Sequence, residues 1–216
     1  MAQANFHIKQ MPVTDKPEIE STLRAGREGM GVEFKRSMLL NERETQAKVV
    51  KAALAMVNKR DGGVLAFGIE QAPGETTHSI VGMEQSHFES FTQDAVASLV
   101  NKHATPHVDL SVEHLLLDGK RVVAILFREF PDYPVICAKD FVLVKDPVVV
   151  RGKIYCRSRR MAESTELQSP DDMRDLIDLA TAKALERYYR LREIEQRSVA
   201  PADAPLFAKQ VEDLLK

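Results

Sequence analysis

An acid and a cation stand two residues apart in a short predicted strand. Side chains of an extended chain alternate between two faces, so Glu33 and Lys35 share one face. Glu28 lies an odd number of residues before Glu33, and a straight strand would turn it to the opposite face. Gly29 and Gly31 can bend the backbone and bring Glu28 round. The spacing therefore favours two carboxylates and an ammonium group at one strand end.

A third acid ends the next predicted strand, over residues 64–70. Glu70 follows a row of small residues on its own face, which leaves room for a ligand. Glu28, Glu33 and Glu70, with Lys35 beside them, would suit a hard divalent cation such as Mg²⁺ or Mn²⁺ bound to a phosphate. An acid followed two residues later by a lysine is more often a solvated strand face, so both interpretations stay open here.

The two interpretations predict opposite effects on stability when these acids are neutralised. Carboxylates gathered without a metal repel one another, so neutralising Glu33 or Glu70 should preserve or raise the melting temperature. If these acids instead pair with Lys35, removing either of them leaves a cation without its partner and lowers stability.

A cluster of basic residues lies in and after a last predicted strand region over residues 148–157. Basic side chains at alternate strand positions would line one face, either as a charged, solvated edge or as a strip that contacts phosphates. Cations near the first strand and the helix after it are expected to join this strip. The candidate nucleic-acid contacts are Arg36, Lys59, Arg60, Arg151, Lys153, Arg157, Arg159 and Arg160.

The composition limits the class of protein. The 216 residues carry a formal net charge of −2, with 44% hydrophobic and 29% charged residues, so a nucleic-acid surface would be a local patch. Cys137 and Cys156 are too few for a four-cysteine zinc site, and we expect reduced, buried thiols. The longest apolar run, residues 122–127, is far too short to span a membrane. We expect a cytoplasmic protein with no membrane contact.

The predicted elements run in the order strand, helix, strand, helix, several strands and then helices. This order favours an α+β fold, in which a mixed β-sheet is flanked by helices and followed by a C-terminal helical extension. Asp118-Gly119 between two apolar runs predicts a β-hairpin. The main helices are expected over 18–25, 42–58, 88–102 and 173–197. The expected segments are an N-terminal arm at 1–19, a domain at 20–168 and the helical extension at 169–216.

The second half of the last long helix is highly charged around a narrow apolar seam. Leu185, Tyr188, Leu191 and Ile194 form this seam. The pattern is typical of a helix–helix interface, and it predicts a homodimer or a partner protein bound through the C-terminal helices.

Several of these segments together resemble the Schlafen-type AlbA-like domain family, over roughly residues 20–168. The resemblance implies nucleic-acid binding and, in some Schlafen proteins, metal-dependent endoribonuclease activity on transfer and ribosomal RNA. It rests on the segments Gly31-Val32-Glu33-Phe34-Lys35, Gly62-Gly63-Val64-Leu65-Ala66-Phe67-Gly68-Ile69-Glu70, Ile80-Val81-Gly82 and Tyr155-Cys156-Arg157.

The resemblance also implies roles for individual residues. Glu28, Glu33 and Glu70 match the positions of three metal-binding acids of the nucleases, and Lys35 matches the neighbouring lysine. Glu70 departs from the family pattern, in which aspartate is usual. No phosphate loop of the G-x-x-x-x-G-K-[ST] type is present, so no ATP site is expected.

Three hypotheses of function follow. The first is a metal-dependent endoribonuclease acting on structured RNA such as tRNA, with RNA favoured over DNA as the ligand. The second is a non-catalytic DNA- or RNA-binding regulatory module. The third is a subunit of a defence complex, docked on a larger partner through its terminal helices.

Overall fold

The computed structural model describes residues 16–71, 77–158 and 163–198. Most of the predicted N-terminal arm lies outside these ranges, as do Arg159, Arg160 and the end of the predicted helical extension. Among the described residues, no helix is both long enough and apolar enough to cross a membrane.

The central sheet is mixed, which confirms the predicted α+β class. Its strands stand in the order β1-β2-β7-β6. β1 pairs parallel with β2, whereas β7 is antiparallel to both β2 and β6, so β1 is an edge strand of this sheet. The strand bounds are β1 (Val32–Lys35), β2 (Gly63–Phe67), β6 (Leu110–Leu117) and β7 (Lys120–Phe127).

Helices pack on this sheet through their buried apolar side chains. The helix that joins the parallel strands β1 and β2 has a broad buried face that runs unbroken from Ala52 to Met56 near its end. A parallel pair needs such a crossover connection. The helix bounds are α1 (Lys16–Arg24), α2 (Arg43–Met56), α3 (Gln85–Ser90), α4 (Gln93–Asn101) and α5 (Pro170–Ser198).

Alternating residues of the central strands divide the core into two clusters. In β2, Leu65 and Phe67 pack in the cluster that contains α2, whereas Val64 and Ala66 pack in the cluster that contains Ile19 of α1. The two-residue period of a strand therefore buries β2 on both faces.

The shorter strands pair in twos outside the central sheet. The predicted hairpin between β6 and β7 is confirmed, with Asp118 at φ 54° and Gly119 at φ 75°, as a tight two-residue turn requires. The pairs are β3 (Ile69–Gln71) with β4 (His78–Ile80), β5 (Ala104–Thr105) with β8 (Ile136–Cys137), β9 (Phe141–Leu143) with β10 (Asp146–Val149), and β11 (Tyr155–Arg157) with β12 (Ser164–Glu166).

The strand region expected over 148–157 is in fact two strands, which corrects that prediction. β10 ends and β11 begins on either side of a turn, in which the Lys153 N–H donates to the Val150 carbonyl at 3.2 Å. Gly152 lies within this turn at φ 81°. Because a turn interrupts the two-residue period, Arg151, Lys153 and Arg157 do not share the single strand face that alternation predicted.

Candidate nucleic-acid interface

Glu33 on β1 lies between two cations. Lys35 Nζ is 2.7 Å from Glu33 Oε1, which confirms that the two side chains share a face. Arg157 of β11 donates from Nη1 to Glu33 Oε2 at 2.7 Å. The Arg157 side chain is 1% exposed and the Glu33 side chain 15% exposed. Glu33 therefore forms a largely buried bridge between the edge strand and β11.

Two nitrogen atoms of the Arg157 guanidinium donate hydrogen bonds to described residues, and the third does not. Its Nη2 donates to the Gly29 carbonyl at 2.9 Å, in addition to the Nη1 contact with Glu33. Its Nε atom is buried, and no acceptor bonds to it among the described residues. A buried donor without an acceptor costs free energy, so an incoming anion that reached it would be stabilised.

Asn58 positions β11 and with it Arg157. Asn58 follows α2 and is buried, and its side-chain nitrogen lies 2.8 Å from the Val135 carbonyl and 3.0 Å from the Tyr155 carbonyl. Its side-chain oxygen accepts the Val135 N–H at 2.8 Å. The amide therefore ties the end of α2 to two separate segments, one of which is the strand that carries Arg157.

Glu28 turns back onto β1, as the glycine bend predicted. Gly29 and Val32 exchange backbone hydrogen bonds in a tight turn. Glu28 Oε1 accepts the Phe34 N–H at 2.6 Å, and Oε2 lies 3.9 Å from His78 Nε2. The carboxylate thus covers an edge of β1 on which no other strand pairs among the described residues.

Glu70 lies on β3 and is exposed. It lines a second cleft, of about 540 Å³, whose lining includes two acidic and three basic residues. Neither Glu28 nor Glu33 lines that cleft. The other charged residues of this second cleft are Arg36, Glu84, Lys120 and Arg121.

The three predicted metal ligands do not form a joint site in this arrangement. Among residues 16–71, 77–158 and 163–198, no three His, Cys, Asp or Glu side chains are grouped so that they could hold a metal ion. Both carboxylate oxygens of Glu33 contact cations, and one carboxylate oxygen of Glu28 accepts a hydrogen bond from a backbone N–H. Mg²⁺ requires several oxygen ligands in near-octahedral positions, so the donor set does not fit it here. The local sequence pattern held no sign that Arg157 would pair with Glu33.

A first cleft of about 650 Å³ lies where the end of α2, β11 and α5 meet. Three of the predicted nucleic-acid contacts come together in it, namely Lys59, Arg60 and Arg157. From α5 it receives three acids and two leucines: Asp172, Asp175, Leu176, Asp178 and Leu179.

The cations of the first cleft repel each other. Burial lowers the pKa of Lys59, and the positive charge of Arg157 lowers it further, whereas the carboxylates of Asp61 and Glu129 raise it. Lys59 Nζ donates to the Arg60 carbonyl at 2.7 Å. An anion bound beside Lys59 and Arg157 would relieve both the burial cost and the repulsion.

The other predicted basic contacts that the structure describes lie elsewhere. Lys153 Nζ pairs with Glu166 at 2.8 Å, and the Arg151 N–H donates to Asp140 at 2.5 Å. Neither basic residue lines the first or the second cleft, and Arg36 lines the second. The predicted basic strip is therefore divided among separate surfaces in the described part of the chain.

The acids of α5 that line the first cleft were not predicted from the sequence. Asp172, Asp175 and Asp178 recur every three residues, and this spacing on a helix is the signal that would have placed them near one another. Asp172 is buried. Burial of Cys156, together with the negative charge of Asp172, raises the pKa of the Cys156 thiol to about 11. Cys156 therefore stays a neutral thiol at neutral pH.

Comparisons with known proteins place these features in a family. The family model described as Schlafen, AlbA_2 matches residues 28–165. The uncharacterized ATP-binding protein UU034 of Ureaplasma parvum serovar 3 is 26% identical over 150 residues, which cover 63% of this chain and 39% of that protein. The chain thus spans about two fifths of the length of this curated relative.

Two solved structures are similar in part. The DIP2311 protein from Corynebacterium diphtheriae has a TM-score of 0.45 and 18% identity, covering 73% of this chain and 27% of that one. The N-terminal domain of a protein related to the ATP-dependent DNA helicase RecG, from Nitrosomonas europaea, has a TM-score of 0.36 and 21% identity, covering 52% and 71%. The family match includes β1, α2, the central sheet and β11, and on this basis the chain belongs to the Schlafen, AlbA_2 family.

Proposed function

We propose that this protein binds nucleic acid and that Lys59, Arg60 and Arg157 contact its phosphates at the first cleft. The observation that carries the proposal is that these three basic residues line one cleft. The Nε–H of Arg157 is buried without an acceptor among the described residues, and burial and Arg157 both lower the pKa of Lys59. A phosphate oxygen would accept hydrogen bonds from these cationic side chains.

Salt dependence tests this proposal. Binding of a fluorescent RNA hairpin, and of a DNA duplex of matched length, is measured by anisotropy over a series of salt concentrations. Removing one cation that neutralises a phosphate should reduce the slope of log K against log salt by about 0.7 to 0.9. Lys59→Ala and Arg60→Ala should each weaken binding to every sequence and flatten that slope.

The matched control is Lys145→Ala, since Lys145 is exposed and lines neither cleft. It should bind as the parent does. If the Lys59 and Arg60 variants bind with the parent's affinity and salt slope, the first cleft is not the phosphate site. We expect RNA to bind more tightly than DNA.

We infer a second candidate function, metal-dependent endoribonuclease activity on structured RNA such as tRNA. It is supported by Glu28 and Glu33 lying at the same end of β1, beside Lys35. This activity would require Glu33 to exchange Lys35 or Arg157 for Mg²⁺ or Mn²⁺. Incubation of tRNA with manganese or with EDTA tests it. Manganese-dependent cleavage that Glu33→Gln abolishes would support the activity, and intact tRNA under both conditions would reject it.

A further inference from the structure

The first cleft has walls of opposite charge. Lys59, Arg60 and Arg157 supply cations, with Asp61 among them, whereas α5 supplies three further carboxylates. Cationic side chains favour an anionic group, and carboxylates favour hydrogen-bond donors. A volume of about 650 Å³ suits a small organic molecule or one unit of a polymer. The two walls therefore call for a ligand with an anionic end and a hydrogen-bond-donating end.

The cationic wall suits a phosphate. The Arg157 guanidinium is fixed by Glu33 and by the Gly29 carbonyl, and its buried Nε–H is left without an acceptor in the described part of the chain. Lys59 is the second fixed donor, held between the Arg60 and Gly62 carbonyls at 2.7 and 3.4 Å. Donors that are already ordered lose little conformational entropy when they bind an anion.

The acidic wall suits hydroxyl groups. An ionised carboxylate only accepts hydrogen bonds, and its two oxygens offer about four lone-pair positions, so it can hold a ligand in addition to its present neighbours. Asp175 is half-buried and Asp178 is exposed, one turn apart on α5. A carboxylate that accepts from the hydroxyls of a ribose is an established way for proteins to recognise nucleotides.

An apolar surface completes the lining. Met30, Leu176 and Leu179 line the same cleft, and the two leucines are buried. Cys156 also lines it, and its thiol is neutral because burial, together with Asp172, raises its pKa to about 11. These groups can contact the flat face of a base without offering charge to it.

We propose that the first cleft binds one ribonucleotide unit, with its phosphate at Lys59 and Arg157, its ribose hydroxyls at Asp175 and Asp178, and its base against the apolar lining. The inference rests on the proposed nucleic-acid function and deepens it. The ribose 2′-hydroxyl is what distinguishes RNA from DNA at such a site. The acids of α5 would then select RNA, although they weaken the general attraction for phosphates.

Mononucleotides test the inference on the full chain. Binding of AMP, 2′-deoxy-AMP, adenosine and inorganic phosphate is measured by calorimetry in low salt. AMP should bind most tightly, and 2′-deoxy-AMP should bind roughly tenfold more weakly, because a charged acceptor loses one hydrogen bond. Asp178→Ala and Asp175→Ala should reduce the preference for AMP over 2′-deoxy-AMP, and Lys59→Ala should reduce the preference for AMP over adenosine.

The variants need matched controls. Asp146→Ala removes an exposed acid that does not line the cleft and should leave both preferences unchanged. Melting temperatures show whether each variant is folded, and Asp178→Ala, at an exposed helix position, serves if Asp175→Ala proves unstable. AMP and 2′-deoxy-AMP binding equally tightly would overturn the inference.

Competition with RNA separates the inference from the proposed function. If RNA binds but AMP neither binds nor displaces it at millimolar concentration, the ribonucleotide site is rejected while nucleic-acid binding stands. If AMP binds with the expected preferences but neither RNA nor DNA binds, the proposed function is rejected while the cleft remains a nucleotide site.

Discussion

At the residue level, the contacts of Glu33 distinguish a structural ion pair from a metal-binding site. Glu33 contacts Lys35 and Arg157 at 2.7 Å each, and Arg157 is almost entirely buried. The carboxylate therefore balances two positive charges, rather than repelling two other carboxylates. This pairing reverses the reason for expecting Glu33→Gln to preserve stability.

Glu33→Gln should lower the free energy of unfolding by about 3 kcal/mol, because it leaves the buried Arg157 guanidinium without a counter-charge. Urea unfolding measures the change. Glu70→Gln is the matched control, because Glu70 is exposed on β3, and its effect should stay within about 0.5 kcal/mol. Equal stability of the Glu33 variant and the parent would mean that the ion pair does not hold β11 to the sheet.

Lys59 should make stability depend on pH. Burial lowers its pKa in the folded state below the ordinary value of 10.5. The unfolded chain then binds more protons than the folded chain in the range just below 10.5, so stability should rise as the pH rises through that range. Melting temperatures of the parent and of Lys59→Met, measured at a series of pH values, test this.

The rise should be smaller in Lys59→Met and unchanged in Lys145→Met, which removes an exposed lysine. If the parent instead loses stability relative to Lys59→Met as the pH rises in this range, an ion pair outweighs burial in setting the pKa of Lys59.

At the scale of elements, the site depends on how β11 docks against the end of α2. β11 is a three-residue strand that pairs with β12, outside the central sheet. Asn58 supplies the connection through the carbonyls of Val135 and Tyr155. A short strand that relies partly on one buried amide is sensitive to the loss of that amide.

Asn58→Ala should destabilise the protein, because the Val135 N–H and the carbonyls of Val135 and Tyr155 lose their buried partner. Each buried group left unsatisfied costs about 1–3 kcal/mol. Chemical denaturation measures the loss, and Asn41→Ala, at an exposed position, is the control. Hydrogen exchange should also accelerate in β11 before it does in β2. Unchanged exchange in β11 would contradict the positioning role of Asn58.

At the scale of the whole molecule, α5 has two different halves. Its first turns bury Leu176 and Leu179 and line the first cleft. Farther along, Arg187 stacks over the Tyr133 ring at 4.6 Å and Arg190 lies 3.5 Å from Asp132. This second half also carries exposed apolar residues, because Leu185, Tyr188, Tyr189, Leu191 and Ile194 are each more than half exposed.

A second copy of the chain is the partner we expect on these exposed apolar residues. Glu186, Arg192 and Glu193 lie in the same half of α5, so charges of both signs are available at the rim of such an interface. Light scattering at micromolar concentration should report a dimer. Leu191→Asp should convert it to a monomer with an unchanged melting profile of the domain, whereas Lys145→Asp should leave the dimer intact. A monomeric parent would contradict this prediction.

Features that depend on short-range rules could be predicted from the sequence. The two-residue period of a strand placed Glu33 beside Lys35, and the glycines around Met30 brought Glu28 back to β1. The 3.6-residue period indicated α2 and α5, and Asp118-Gly119 indicated the hairpin between β6 and β7. These follow from local geometry, because each involves residues a few positions apart.

Contacts between residues that are distant in the chain could not be predicted in this way. Glu33 pairs with Arg157 across 124 positions of the chain, and Glu70 belongs to a different cleft. The acids of α5 face the cleft that Lys59 lines, although nothing near them in the sequence indicates it. Such contacts depend on how whole elements dock. Docking is fixed by the shape of the buried core and by single long-range contacts such as those of Asn58, neither of which leaves a period in the sequence.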